Sequence, residues 1–225
     1  MRTKTKRGSI AAGAALAATV LIAGLAAAQA SQDAKPAAPA DGMGPLALGQ
    51  AAPLADTKMK SVNGKEFSIS QTQGAKGTLV VFTCNACPWA KAWHSRIVSL
   101  GNATMKRGIG VIAINANDPG VVAEDDYPTM QANAKKSKMA FPYVVDATSD
   151  VARAFGATRT PEAYLFDGEG HLVYHGAIDD NAKQPDQVKV RYLEEAVNAL
   201  IEGKAIAMQE TKALGCSIKF RSPKT

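Results

Sequence analysis

Cys84 and Cys87 stand two residues apart in TCNACP, Thr83–Pro88. Two thiols at this spacing can close a reversible disulfide, supply half of a metal site, or sit as small buried side chains. The thiolate is the nucleophile in cysteine chemistry, so the deciding question is whether nearby elements favour a negative sulfur. A third cysteine, Cys216, lies in LGCSIKF near the C-terminus. It reads either as a further redox thiol or as a small buried residue holding the tail.

The elements around the pair answer part of that question. Thr78–Phe82 is a short continuous apolar run, the pattern of a strand buried on both faces. From Pro88 onward, Trp89, Ala92, Trp93, Ile97 and Leu100 recur at spacings near three and four, an amphipathic helix with proline in its first turn. The cysteines therefore fall at a strand-to-helix joint. Unpaired N–H groups at a helix start favour an anion. This predicts Cys84 at the helix N-terminus, exposed and attacking, and Cys87 one turn deeper as the resolving thiol. A CxxC in this β-α setting reads as a redox pair. Thr160-Pro161 heads another strand, PEAYLF. Proline gives no N–H to a ladder, which makes sense if the bond is cis and lies beside the cysteines. Thr160 and Pro161 then become substrate-binding candidates through the Thr160 backbone. Trp89 is a third candidate, lining the groove.

The remaining chain gives the order hairpin, β, α, β, α, short α, β-hairpin, α. Asn63-Gly64 marks the first hairpin turn. GVIAIN at Gly110–Asn115 is a second buried strand, and residues around Tyr127–Lys138 form an exposed helix. Phe141–Val145 is extended, Ser149–Phe155 a short helix, and Asp186–Gly203 the last long helix. A β-α-β unit followed by a hairpin and a closing helix gives an α/β fold, a central mixed sheet with helices on both faces.

Composition bounds the function. The net charge of +6 owes four positive charges to Arg2, Lys4, Lys6 and Arg7; beyond residue 30 the balance is 22 basic against 20 acidic. No basic patch argues for nucleic acid. That basic start, the apolar stretch Ile10–Ala28 and Ala28-Gln29-Ala30 form a secretory signal peptide over residues 1–30. An uncleaved membrane anchor is the alternative. Residues 31–44 read as a flexible tether, and 45–225 as one folded domain. The bacterial style of the leader points to the periplasm, where disulfides form.

Metal chemistry finds little support. His171 and His175 lie roughly 13 Å apart if both stand on one strand, and His94 lies about 10 Å beyond Cys87 along the helix. Four zinc ligands do not assemble. Two thiolates alone would suit Cu(I), which keeps a copper chaperone or a redox-inert binding module as an alternative outside enzymes. No cofactor is called for.

The segments LALGQAAPLADTKMKSVNGKEFSI, LVVFTCNACPWAKAW, GATRTPEAYLFDGEGHLVYHGAIDDN and ALGCSIKF resemble the redoxin, or peroxiredoxin-like, branch of the thioredoxin superfamily, grouped with AhpC/TSA proteins. The resemblance implies a thioredoxin-like fold with an N-terminal β-hairpin extension. It implies thiol–disulfide oxidoreductase activity through a mixed disulfide, with protein thiols or disulfides and an electron donor or acceptor as partners. A peroxidase using Cys87 with Cys216 is the alternative, with Cys216 as the resolving thiol. The peroxidase pattern P-x-x-x-T-x-x-C is not met: Val80 and Cys84 stand where proline and threonine are required. Strand Thr78–Phe82 also lacks the buried acid that helps deprotonate the second cysteine, and Glu162 and Asp118 are the candidates for that role.

Overall fold

The computed structural model describes Gly44 and residues 46–222. The signal peptide and all of the tether except Gly44 lie outside the described residues. Strands β1 (Met59–Ser61) and β2 (Glu66–Phe67) form the expected hairpin, with Gly64 at φ +83° in its turn. A non-glycine residue would strain that backbone. Strand β3 (Gly77–Phe82) leads into helix α1 (Pro88–Met105), then strand β4 (Ile109–Asn115) and helix α2 (Tyr127–Lys136). Strand β5 (Tyr143–Val145) and helix α3 (Asp150–Ala154) follow. Then come β6 (Arg159–Thr160), β7 (Glu162–Asp167), β8 (Leu172–Gly176), helix α4 (Tyr192–Ile201) and β9 (Cys216–Ser217).

The strands run in the order β2-β1-β5-β4 and, antiparallel, β3-β7-β8. Strand β4 pairs in parallel with β5, and β3 lies beside β4, where the Thr83 N–H bonds the Ile114 carbonyl. Alternation along β3 divides the core, as the two-residue period of a strand requires. Leu79 and Val81 face Trp93, Ile97, Met130, Leu193 and Val197 of α1, α2 and α4. Val80 and Phe82 face Val151, Phe155, Tyr164 and Ile218 on the other side. The fold is thioredoxin-like, with helices on both faces of a mixed sheet.

Two expectations change. The last helix begins at Tyr192, not Asp186: Pro185–Gln187 form a short 3-10 turn, the Lys189 N–H bonds Asp180 Oδ1, and the Val190 carbonyl accepts from the Asp180 N–H, which holds this segment out of the helix. The tail adds a strand that its sequence pattern does not announce: β9 pairs antiparallel with β6, Thr160 opposite Cys216. Among the described residues no helix is long and apolar enough to cross a membrane.

Candidate functional site

Helix α1 starts at Pro88, and Cys87 is its N-cap, with φ −60° and ψ 124°. The reason is local. Proline has no N–H to bond and a φ preset for the first helical position, so the helix begins on it and the preceding residue becomes the cap. The helix N-terminus therefore belongs to Cys87. Cys84 sits three residues earlier, in the turn leaving β3. It is not exposed as expected: Cys84 and Cys87 are each 5% exposed.

Thr160 joins the two sulfurs. Its peptide bond to Pro161 is cis. Cys84 Sγ lies 3.1 Å from the Thr160 hydroxyl, and Cys87 Sγ lies 3.3 Å from the Thr160 carbonyl oxygen, to which it donates when protonated. Pairing of β6 with β9 brings in the third cysteine. Cys84, Cys87 and Ala90 form one buried cluster, with Trp89 and Cys216 packed against it.

The charge falls on Cys87. Its pKa is lowered to about 4, first by the Cys84 thiol hydrogen bond and then by the Cys216 thiol and the N–H groups of Ala90 and Cys216. An N-cap thiolate facing unpaired helix N–H groups is stabilised in just this way. The Cys84 thiol is pushed well up, because it is hydrogen-bonded to Cys87, because it is buried, and because the Asp125 carboxylate is near. Burial and the Cys87 charge push Cys216 up to about 11.

Asp125 is the acid beside the pair, and sequence reasoning missed it. It is 2% exposed. Its carboxylate accepts from the Asn85 N–H and from the side-chain amides of Asn115 and Asn117. It is the middle of three consecutive acids, Glu124–Asp126, which in sequence look like a solvated loop. Neither expected acid reaches the sulfurs by any hydrogen bond. Glu162 is bonded by the Thr158 and Arg159 N–H groups, His175 and Tyr164. Asp118 Oδ1 accepts from Gly120. Asp125→Ala would leave three buried donors short of an acceptor, at about 1–3 kcal/mol for each unmet group. The expected result is a loss of about 3 kcal/mol or more in urea unfolding, and Asp125→Asn should lose less.

Asp179 of the IDDN segment holds α1 in place. It accepts from Trp93 Nε1 at 2.7 Å and forms a close ion pair with Arg96. Trp93 is buried, and Trp89 stacks on it at 5.9 Å between ring centroids. Outside the cluster, Cys84 lines a cleft of about 320 Å³ with Asn85, Lys91, His94, Asn133, Lys136 and Ser137. Burial lowers the His94 pKa. Among the described residues, no group of three or more histidine, cysteine or acidic side chains is placed to hold a metal ion.

Residues 48–175 match the AhpC/TSA family model, and the chain belongs to that family, in the redoxin branch of the thioredoxin superfamily. It is 31% identical to a hypothetical protein of Sinorhizobium meliloti 1021, covering 79% of this chain and 96% of that one at a TM-score of 0.73. The thiol-disulfide oxidoreductase ResA of Halalkalibacterium halodurans is 24% identical over 115 residues, 51% of this chain and 61% of that protein. The match thus spans less than two thirds of that relative. A thioredoxin-like protein solved in its oxidized form shares the fold, with 22% identity and a TM-score of 0.58 over 71% of this chain and 99% of that one.

Proposed function

We propose that this member of the AhpC/TSA family is an exported thiol–disulfide oxidoreductase working through Cys84 and Cys87. The observation that carries it is the bracketing of Thr160 by two thiols, one of them at the N-cap of α1. The names of the ResA relatives support the same activity, and the leader sequence supports the periplasm.

In the oxidising direction a substrate thiolate attacks Cys84 Sγ from the cleft. The Cys84–Cys87 bond breaks, Cys87 leaves as the stabilised thiolate, and the substrate is held on Cys84 as a mixed disulfide. A second substrate thiolate attacks the substrate sulfur of that mixed disulfide. Cys84 is released and takes up a proton, and the substrate disulfide departs. The reducing direction is the reverse: Cys84 attacks and Cys87 displaces. A leaving thiol of low pKa departs faster, so this arrangement favours giving a disulfide over taking one. Trp89 supplies an apolar wall beside the sulfurs, Pro161 fixes the strand entry, and Thr160 holds both thiols. Substrates are thiols and disulfides, with a separate electron donor or acceptor restoring the pair.

Equilibration in glutathione redox buffers tests this. Peptide mapping should show a Cys84–Cys87 disulfide with a midpoint more oxidising than about −230 mV, above the thioredoxin value of about −270 mV. A pair that stays reduced across all buffers sinks the reading.

A second reading is favoured by the thiols around the Cys87 sulfur. Its thiolate could attack a hydroperoxide, giving a sulfenic acid and an alcohol or water. Cys84 or Cys216 would then condense with the sulfenic acid, forming a disulfide and water.

A further inference from the structure

We propose that the substrate received over Cys84 is a small anionic thiol or disulfide, one carrying a carboxylate beside its sulfur, because the chain's own tail occupies the strand position beside Thr160. This rests on the reading of Cys84 and Cys87 as an oxidoreductase pair.

The first observation is the covered edge. An extended peptide would have to pair with the backbone of Thr160, and β9 already does so, with Arg159 opposite Ser217 and Thr160 opposite Cys216. The tail is well fastened on both sides of that pairing. The Ile218 N–H bonds the Thr158 carbonyl at 2.9 Å, and Ile218 is buried. The Lys219 N–H bonds Asn117 Oδ1 at 2.8 Å, its carbonyl accepts from the Asp118 N–H at 2.7 Å, and the Arg221 N–H bonds Ser149 Oγ at 2.9 Å. Gly215 packs so closely on the Thr160 backbone that a Cβ there would collide with it. A peptide strand would have to break this whole set to lie along Thr160.

The second observation is the opening that remains. The cleft over Cys84 holds about 320 Å³, near the lower end of the range for small-molecule sites, about 300–1,000 Å³. Its lining includes Lys91 and Lys136 and no carboxylate. His94 is held toward its neutral form by burial, leaving it as a polar contact. Asp125 lies behind Asn85 and spends its oxygens on three amide donors. Both lysines are exposed at the rim, where they attract an incoming anion and repel a cation. Such a site favours a small acid-bearing disulfide that reaches Cys84 end-on.

The step balances without another reagent. With a symmetrical disulfide, Cys84 attacks one sulfur and its proton goes to the departing sulfur, releasing the first small thiol. The Cys87 thiolate then attacks Cys84 Sγ, releasing the second as a thiolate. The protein dithiol is oxidised by two electrons, and the disulfide is reduced to two thiols.

The test uses the reduced full-length protein with 3,3′-dithiodipropionate, a dianion, and cystamine, a dication. Rates of Cys84–Cys87 disulfide formation are read by acid quench and mass mapping. The quantity is the ratio of the two rates, compared between wild type and the Lys91→Glu/Lys136→Glu variant, which cancels the different leaving groups. Reversing both charges should lower the ratio by about tenfold or more, and added salt should lower it in the wild type. If the variant does not fold, Lys91→Gln/Lys136→Gln should lower it by about threefold. A ratio within twofold of wild type in the folded variant overturns the proposal while leaving the oxidoreductase reading intact. Failure of both disulfides, each in large excess, together with failure of glutathione disulfide to oxidise the wild type, overturns both.

Discussion

Cys87→Ser should lower thiol–disulfide turnover by about a thousandfold or more while a mixed disulfide accumulates on Cys84. Loss of a reacting group that acts within a unit removes nearly all of its catalysis. Serine at 87 cannot displace a substrate from Cys84, so the first exchange completes and the second cannot. Partners should then be recovered on Cys84 and identified by mass spectrometry. Cys84→Ser should recover none there, and a Cys87→Ser variant that turns over like wild type would end the two-thiol account. The same pair of variants separates the peroxide reading. Peroxide removal that survives Cys84→Ser and fails in Cys87→Ser would place the oxidised sulfur on Cys87 with Cys216 as its resolving partner.

The reduced protein should show a thiolate titrating near pH 4, visible in the ultraviolet absorbance of the thiolate and in the pH profile of alkylation at Cys87. The largest cause is the hydrogen bond from the Cys84 thiol, so Cys84→Ala should move the midpoint upward. The sign for stability follows from linkage. A cysteine whose folded pKa lies below its unfolded value stabilises the fold fully above the unfolded pKa, at about 8.5. That contribution is lost progressively as pH falls from there through about 4. Cys84 shifts the other way and costs stability only where an unfolded thiol would ionise, above about pH 8.5. Reduced wild type should therefore lose more urea resistance between neutral and acid pH than Cys87→Ser does. Equal losses would show that Cys87 is not held as an anion.

The CxxC pair and its β-α setting were legible in the chain because both are local. An apolar run, a CxxC and a proline-led amphipathic stripe lie within the stretch Thr78–Leu100, and each has its own period or spacing. Thr160-Pro161 was legible for the same reason, since a proline heading a strand has few uses. The cap position was misassigned by one turn. The sequence contains the proline that sets it, but expecting Cys84 at the helix start left no role for what Pro88 does to the residue before it.

Three features were decided only in three dimensions. Asp125 is 41 residues from Cys84, and its acidic neighbours disguise it as surface; only folding of α2's entry loop beneath Asn85 buries it. Cys216 is 129 residues from Cys87, and no periodicity in a two-residue strand could announce its pairing with Thr160. The lysines of the cleft come from two separate helices and read singly as solvated charges. Local sequence fixes which backbone a segment prefers, because that depends on neighbours within a turn or a strand. Which side chains meet across the molecule depends on how those segments pack, and here that packing sets Cys87 beside Cys84 and Cys216, lays the tail along Thr160 and brings two lysines to the opening over Cys84.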